Sequence, residues 1–439
     1  MTSESSLAKI LKILNSVILI CFLTISSWGG KISQLEDNLR KKNVERLDAD
    51  ELIDLALYKE MQLKRDYKTL LRAFSKAQSP LNLLFTMHYA VEGQRYPKYK
   101  EELTSIIKRK VEESDFLHFR IDGNYILSLL EKLDIDSFDP VKHGYFTSFY
   151  HSGPYVKNGI MDFSNRFKVE RKPRKGKEYR TFFGKRSPTK IDVNGTGWID
   201  ISRTLSQNQG ISYYYSGFKV PATGEYYFNI IHNVPLKVFI DGKEVLSRKE
   251  SDSEKGLKHL IKARLKRGNH KINIKLVNST FLSGYYHESG SRGFMVQLFN
   301  GSGRVFDFNT EKLKKGRIYS SNEIYLEDSV KSSEVKRKDF KLANIYAVYG
   351  NGGKSYSHIF KLSEESESPL YSFFMGYIAR RFPQIGFYSH GFNYFFEAKM
   401  GSADAYIADL FITRVYLEMG NIKQAKKHIL PLYEKFPEN

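Results

Sequence analysis

Residues 236–245 read LKVFIDGKEV, and residues 271–276 read KINIKL. In LKVFI and KINIKL every second side chain is aliphatic, which is the period of two that a half-buried β-strand shows. Asp241-Gly242 follows the first of these runs and supplies the pair of positive-φ residues that a tight hairpin turn favours. Residues 217–299 form the only long run of this kind, so we expect antiparallel strands that share one core.

Helical periodicity replaces the strand pattern on both sides of this run. From Asp48 to about Asp136, apolar residues recur every three or four positions in segments of about 13 residues. Ala56 and Ala90 lie 34 residues apart, a spacing near the period of tetratricopeptide repeats. The same segments also suit an ordinary helical bundle, and both alternatives remain open for residues 31–140.

The C-terminal region carries a fuller repeat pattern. Tyr416, Gly420, Ala425 and Pro437 occupy the positions of the aromatic residue, turn glycine, small contact residue and closing proline, and this stretch resembles a tetratricopeptide repeat. The resemblance implies stacked helix pairs over residues 336–439, with a concave groove that holds a segment of another protein. Two alternatives remain open for the last pair: it exposes apolar residues at an uncapped end, or its own first helix covers them.

Aromatic and arginine residues on the groove-side helices are candidates for partner contact, because such residues dominate the binding energy at protein interfaces. The candidates are Tyr377, Arg380, Arg381, Tyr406 and Arg414. Arg380 and Arg381 follow an apolar run and suit a core poorly. They are therefore the foremost candidates, and their charge favours an acidic segment of the partner.

Residues 153–306 resemble the β-sandwich of anthrax protective antigen, as it occurs in certain exported bacterial proteins. The stretches that carry the resemblance are Gly153-Pro154-Tyr155, Gly197-Trp198-Ile199, Phe218 to Phe228, Lys237 to Val245 and Arg267 to Ile272. In those proteins tetratricopeptide repeats flank the sandwich. Some of them continue into a transglutaminase-like domain, which we do not expect here.

Sugar-binding members of that sandwich family hold calcium with paired aspartates in one loop, where this chain has His232-Asn233-Val234-Pro235. Two hard carboxylate ligands are missing, so we do not expect a calcium-dependent glycan site. A metal-free glycan rim is a weaker candidate, and solvent-exposed loop residues with no such role are the alternative. The rim candidates are His232, Asn233, Asp241 and His287.

The strongest charge feature is a basic segment. Between Arg166 and Lys190, eleven lysines and arginines face only Glu170 and Glu178, a net charge of +9. The candidate patch within it consists of Arg171, Lys172, Arg174, Lys175 and Lys177. One interpretation is a solvated, flexible loop, and the other is contact with an anionic glycan or membrane surface. Nucleic acid is not the expected partner, because we expect the chain to be exported.

Export is predicted from residues 7–30, which have the layout of a secretory signal. Lys9 and Lys12 precede an apolar run from Ile13 to Trp28, and Gly29-Gly30 follows. An uncleaved membrane anchor remains open as the alternative, so the rest of the chain is expected in the periplasm or at the membrane.

The net charge of +20 over 439 residues attracts polyanions. With 41% hydrophobic and 14% aromatic residues the chain should fold, into about three domains.

Few residues suit catalysis. Cys21 is the single cysteine, which leaves no disulfide, no cysteine-ligated zinc and no thiol nucleophile in the rest of the chain. The glycine-rich run at 349–355 lacks the preceding strand and the spacing of a phosphate-binding loop. We therefore expect neither an enzyme nor a cofactor.

Together these patterns predict an α+β multidomain protein in which helical repeats flank a central antiparallel β-sandwich. The expected parts are a signal or anchor at 1–30, a helical domain at 31–140, the sandwich with its lead-in at 141–310, a linker at 311–335 and repeats at 336–439. The expected function is a non-catalytic, exported scaffold that binds protein partners of the cell envelope. The alternative is a glycan-binding or glycan-processing envelope protein that acts through the sandwich.

Overall fold

A computed structural model of the chain contains two compact units. The helical unit comprises residues 1–93, 334–347 and 352–439, and the β unit comprises residues 94–333 and 348–351. The structure describes residues 31–64, 66–92, 99–131, 138–155, 163–193, 197–201, 210–250, 256–278, 292–310, 312–331, 334–365, 368–382, 385 and 388–436. Helices and antiparallel sheets are both present, which confirms the α+β class.

The helices are numbered in chain order. They are α1 Lys31–Arg40, α2 Ala49–Met61, α3 Tyr67–Lys76, α4 Pro80–Glu92, α5 Lys100–Glu113, α6 Leu117–Glu131, α7 Lys168–Arg171, α8 Leu326–Ser329, α9 Lys338–Val348, α10 Gly352–Glu365, α11 Pro369–Arg381, α12 Gly391–Gly401, α13 Tyr406–Glu418 and α14 Ile422–Lys435. Local sequence explains where several of these helices begin. Asp48 and Glu51 form a reciprocal capping box at α2, Pro369 opens α11, and the Asn421 side chain accepts from the backbone N–H of Gln424 at α14.

The strands are β1 Ser148–Ser152, β2 Tyr179–Thr181, β3 Gly184–Arg186, β4 Thr189–Asp192, β5 Ile199–Asp200, β6 Gly210–Val220, β7 Gly224–His232, β8 Leu236–Ile240, β9 Lys243–Arg248, β10 Leu257–Leu265, β11 Gly268–Asn278, β12 Gly293–Asn300, β13 Asn309–Thr310 and β14 Ile318–Glu323. A seven-stranded sheet has the order β4-β1-β6-β11-β8-β9, with β13 also paired to β6. A five-stranded sheet has the order β14-β10-β7-β12-β5, and β2 and β3 form a separate hairpin.

The two large sheets bury one common core. Phe218, Val238 and Ile272 from the first sheet pack in the same cluster as Phe228 and Val296 from the second. The predicted hairpin between β8 and β9 is confirmed. Asp241 and Gly242 adopt φ angles of 52° and 86°, and the two strands pair on either side of them.

The outer face of the seven-stranded sheet is also covered. Tyr214 points into the shared core, whereas Tyr213 and Tyr215 pack in a second cluster with Val169 and Tyr179 of the basic segment. The period of two therefore sends successive tyrosines to opposite faces. All three are fully buried, so packing accounts for this aromatic run.

The helical domain expected at 31–140 is divided in the structure. Helices α5 and α6 belong to the β unit, because Ile121 of α6 packs with Tyr227, Leu260 and Phe299 on the outer face of the five-stranded sheet. The period of three to four identified these helices correctly, but it gave no information on what their apolar faces cover.

The remaining N-terminal helices and the C-terminal helices form one unit. Phe340 of α9 stands 6.0 Å from the ring of Phe85 in α4 and 4.7 Å from that of Phe374 in α11. Lys341 of α9 pairs with Asp50 of α2 and donates to Oδ1 of Asn82 at 2.7 Å. We expected two separate helical domains, whereas these contacts join both ends of the chain.

Residues 1–30, which carry the predicted signal or anchor, lie outside the described residues. Among the described helices, none combines the length and the apolar character that a membrane crossing requires.

Candidate functional site

The last two helices of the helical unit expose an unusual number of apolar side chains. Leu417, Met419, Ile422, Leu430 and Tyr433 each expose more than half of their surface. We call eight of the exposed residues of this pair the terminal face. Its members are Leu410, Arg414, Leu417 and Met419 from α13 and its end, and Ile422, Lys426, Leu430 and Tyr433 from α14. Clusters of exposed apolar side chains in soluble proteins usually mark a binding surface.

Helix α14 has two apolar sides. Its inner side buries Ala425 and Leu432 within the helical unit. Ile422, Leu430 and Tyr433 follow at spacings of eight and three residues, which places them on a second side of the same helix. A helix needs one apolar side to join its own unit, so the second side is available for another partner.

The terminal face is also basic. The exposed side chains of α14 include Lys423, Lys426, Lys427 and Lys435, and the only exposed carboxylate of that helix is Glu434. Apolar contact area surrounded by positive charge fits an amphipathic segment with acidic flanks. A second copy of the same surface would bring lysines against lysines.

Four of the five groove candidates are linked in two pairs by their contacts. Arg414 Nε donates to Oε1 of Glu418 at 3.1 Å, and Arg380 contacts the other oxygen of the same carboxylate. Arg381 instead donates to the hydroxyl of Tyr377 at 2.7 Å, one turn away on α11. Arg380 is thus held by an internal acid, so the predicted contact with an acidic partner competes with Glu418.

Tyr406 serves the packing of the helix pair. Its ring lies 5.4 Å from that of Phe436, and the Lys435 ammonium lies 4.3 Å from the Tyr406 ring centre. These contacts join the start of α13 to the end of α14. Arg414, by contrast, is exposed on the terminal face.

The basic patch is placed on the outer face of the β unit. Arg171, Lys172 and Arg174 are exposed, whereas Lys175 and Lys177 are half-buried. The Lys175 ammonium lies 5.0 Å from the centre of the Tyr150 ring. The tyrosine side chains beneath the segment thus attach it to the sheet, which differs from the interpretation as a flexible loop.

The three rim candidates that the structure describes are not exposed. His232, Asn233 and Asp241 are all buried. His287 lies outside the described residues. A sugar therefore has no access to the three described candidates, because each side chain is enclosed by the β unit itself.

His232 instead belongs to a buried polar chain. Its Nδ1 lies 2.7 Å from the carbonyl oxygen of Val234, and its Nε2 lies 3.1 Å from Nε2 of His259. The other nitrogen of His259 lies 2.7 Å from Oε1 of Glu323, whose second oxygen contacts Arg248. Because the Val234 oxygen can only accept, His232 Nδ1 donates to it, and His259 must donate to both of its partners when Glu323 is ionised.

The electrostatics of the chain agree with this assignment. Burial and the neighbouring His259 lower the pKa of His232 well below its ordinary value, so His232 is neutral. Burial acts to raise the pKa of Glu323, but the hydrogen bond from His259 and the charges of His259 and Arg248 outweigh it and lower that pKa. The arrangement satisfies its own hydrogen bonds and stabilises the join between β7, β10 and β14.

Asp241 takes part in a different cluster. Its Oδ2 lies 2.7 Å from Nδ1 of His270, and its Oδ1 accepts from the backbone N–H groups of Lys271 and Gly316 at 3.1 and 3.0 Å. Asn233 accepts at Oδ1 from the backbone N–H of Gly293 at 2.8 Å. These roles hold turns in place. In the described part of the chain, no group of three or more His, Cys, Asp or Glu side chains could hold a metal ion.

Comparison with known proteins adds little. The chain matches no protein-family profile, and no curated protein matches it. Among solved structures, a β-glucosidase from Kluyveromyces marxianus is similar at 12% identity and a TM-score of 0.25, over 40% of this chain and 23% of that one. A GH31 α-xylosidase from Xanthomonas citri is similar at 11% identity and a TM-score of 0.17, over 37% of this chain and 18% of that one. The chain spans less than a quarter of either enzyme, and at these TM-scores neither match bears on function.

The residues of the terminal face were only partly recognised from the sequence. The sequence left open whether the last helix pair exposes apolar residues or covers them, and it did not indicate Leu417, Met419 and Ile422. A helical projection of residues 422–435 shows Ile422 beside Leu430 and Tyr433, whereas Leu417 and Met419 belong to α13 and its end.

Proposed function

We propose that the chain is a non-catalytic binding protein of the cell envelope whose helical unit binds a protein partner through the terminal face. The observation that carries the proposal is the exposed apolar area on α13 and α14 beside the lysines of α14. The partner is an amphipathic helix with acidic residues along its polar side. Binding of such a helix along an apolar surface is a common mode of recognition.

Stacked repeats of the tetratricopeptide type are the form that we propose for α9 to α14. Consecutive helices from α10 to α14 pack on one another, and Ser355 of α10 donates to the carbonyl oxygen of Ala343 in α9 at 2.7 Å. A Cβ atom on Gly376 would lie 2.7 Å from a ring carbon of Phe395 and 2.9 Å from the Gly391 carbonyl oxygen, so α11 and α12 approach closely at small residues. In a stacked array each pair covers its predecessor, and the last pair presents an apolar surface to the next element or to a partner.

Two designed peptides test the function. Both are amphipathic helices with the same apolar side, and one carries glutamates where the other carries lysines. The full chain should bind the acidic peptide at least tenfold more tightly, a difference of about 1.4 kcal/mol. The double variant L417D/Y433D should lose that binding, whereas F360D, which alters an exposed apolar residue of α10, should keep it.

Several results would contradict the proposal. Equal affinity for both peptides, or unchanged binding by L417D/Y433D, would remove the terminal face as the site. A concentration-dependent dimer that L417D/Y433D abolishes would show that a second copy covers this surface instead. Export is tested separately by a reporter fused after Asn439, and activity confined to the cytoplasm would exclude an envelope location.

A further inference from the structure

The β2–β3 hairpin presents two phenylalanines at its tip. Phe182 and Phe183 connect the strands and are 54% and 43% exposed. The strands pair directly on either side of them, from Thr181 and Gly184 to Tyr179 and Arg186. Neither phenylalanine belongs to an apolar cluster of the described residues of the β unit.

The tip is held in a defined position. The Phe182 backbone N–H donates to the Pro154 carbonyl oxygen at 2.8 Å, and Thr181 Oγ1 donates to the Gly184 carbonyl oxygen at 2.8 Å. At the base, the Tyr179 hydroxyl donates to the Lys172 carbonyl oxygen at 2.7 Å, and its ring packs in the cluster on the seven-stranded sheet. The hairpin therefore displays both rings from a folded support.

Positive charge surrounds the tip. Residues 171–186 contain eight lysines and arginines and one acid, Glu178, a net charge of +7. Arg180, Lys185 and Arg186 lie on the hairpin itself and are exposed, and the Arg186 guanidinium lies 5.2 Å from the centre of the Phe183 ring. The basic patch of Arg171, Lys172 and Arg174 leads into the same hairpin.

We propose that the β2–β3 hairpin docks on an anionic lipid surface, with Phe182 and Phe183 inserted at the headgroup level and the basic residues against the lipid phosphates. Apolar side chains gain by leaving water for the acyl boundary, and each basic residue near an anionic leaflet adds to the attraction. This surface belongs to the β unit and is independent of the terminal face.

The geometry of the rings favours lipid over single-stranded nucleic acid. Successive bases stack on aromatic faces that remain open to them. Here the two ring planes stand at 87° to each other with centroids 5.2 Å apart, and Arg186 lies over Phe183. Insertion into a lipid boundary needs only apolar area and places no such condition on the ring faces.

Vesicle binding by the full chain tests the proposal. The probes are phosphatidylcholine vesicles with and without phosphatidylglycerol. The variant F182S/F183S should lower partition onto the anionic vesicles by about tenfold or more, since it removes most of the inserted area. The variant R180E/K185E should also lower it and weaken its dependence on salt. The control F360S removes a phenylalanine of similar exposure, 41%, from α10 and should leave partition unchanged.

A second readout locates the contact, because the apolar run at residues 13–28 is the same in every variant and can itself bind lipid. Addition of anionic vesicles should shift the tryptophan emission of F183W to shorter wavelength by more than that of F360W, because the native Trp28 and Trp198 contribute equally to both variants. Unchanged partition of F182S/F183S, or a spectral shift in F183W no larger than that in F360W, would overturn the proposal. Binding of a single-stranded oligonucleotide that depends on Phe182 and Phe183, without vesicle binding, would replace lipid by nucleic acid as the ligand.

Discussion

Replacing Asp50 with alanine should destabilise the helical unit by about 3 kcal/mol, the lower end of the cost of breaking a buried ion pair. Lys341 of α9 is almost fully buried, and its ammonium pairs with Asp50 of α2 and donates to Asn82 of α4. Without Asp50 the buried Lys341 ammonium would keep its hydrogen bond to the neutral Asn82 but lose its paired carboxylate. The pair links helices from opposite ends of the sequence, so its loss weakens the join between them.

The magnitude follows from the burial of the two partners. Removing one member of a buried ion pair costs about 3–5 kcal/mol, because the remaining charge is left desolvated. The Asp50 side chain is 19% exposed and Lys341 is 2% exposed, so water already solvates part of the pair. Asp54 also attracts the ammonium, while burial lowers the pKa of Lys341. The lower end of the range is therefore expected. For a unit of roughly 150–250 residues this corresponds to a fall in Tm of about 6–12 °C.

Urea unfolding followed by hydrogen exchange and mass spectrometry separates the helical unit from the β unit. Peptides of α2 and α9 should lose protection together in D50A, while peptides of β6 to β12 should not change. The variant D50A/K341M should recover much of the lost stability, because a buried lysine no longer lacks its partner. The control K361M removes an exposed lysine of α10 and should change stability by less than about 0.5 kcal/mol.

Two outcomes would refute this reasoning. If α2 loses protection in D50A while α9 keeps it, the two helices do not unfold as one unit. If D50A/K341M is as unstable as the sum of its single variants, the two side chains act independently and the ion pair does not stabilise the join.

Further predictions concern the β unit. Burial lowers the pKa of His118 from 6.5 to about 3, so between these pH values only the unfolded chain binds a proton at this residue. Acidification from pH 7 to 5 should therefore lower the free energy of unfolding by about 2 kcal/mol. The variant H118F should not show this loss when urea titrations at the two pH values are compared. An equal loss in both proteins would argue against this. G123A should lower the Tm despite the helix preference of alanine, because the added Cβ would overlap the Val111 side chain. The expected loss in the free energy of unfolding is about 1–3 kcal/mol. K275A removes an ammonium that donates to two backbone carbonyls before α7, so proteolysis of residues 163–186 should accelerate; an unchanged cleavage rate would assign the anchoring to the aromatic cluster alone.

The local pattern of the sequence determined the elements. Alternating aliphatic residues identified β8 and β11, and Asp241-Gly242 identified the turn after β8, because each of these signals lies within a few residues of chain. The turn between α13 and α14 followed in the same way from Gly420. The net charge of residues 166–190 was also evident, since counting needs no coordinates.

The tertiary structure alone decided how those elements combine and which polar side chains are available. His259 and Glu323 lie 64 residues apart, and no local spacing indicates that they enclose His232. Likewise, the periodicity of α6 shows that it has an apolar side but not that Tyr227 and Phe299 cover it. A local pattern reports which face of an element avoids water, whereas the identity of the covering element depends on packing between segments that are distant along the chain.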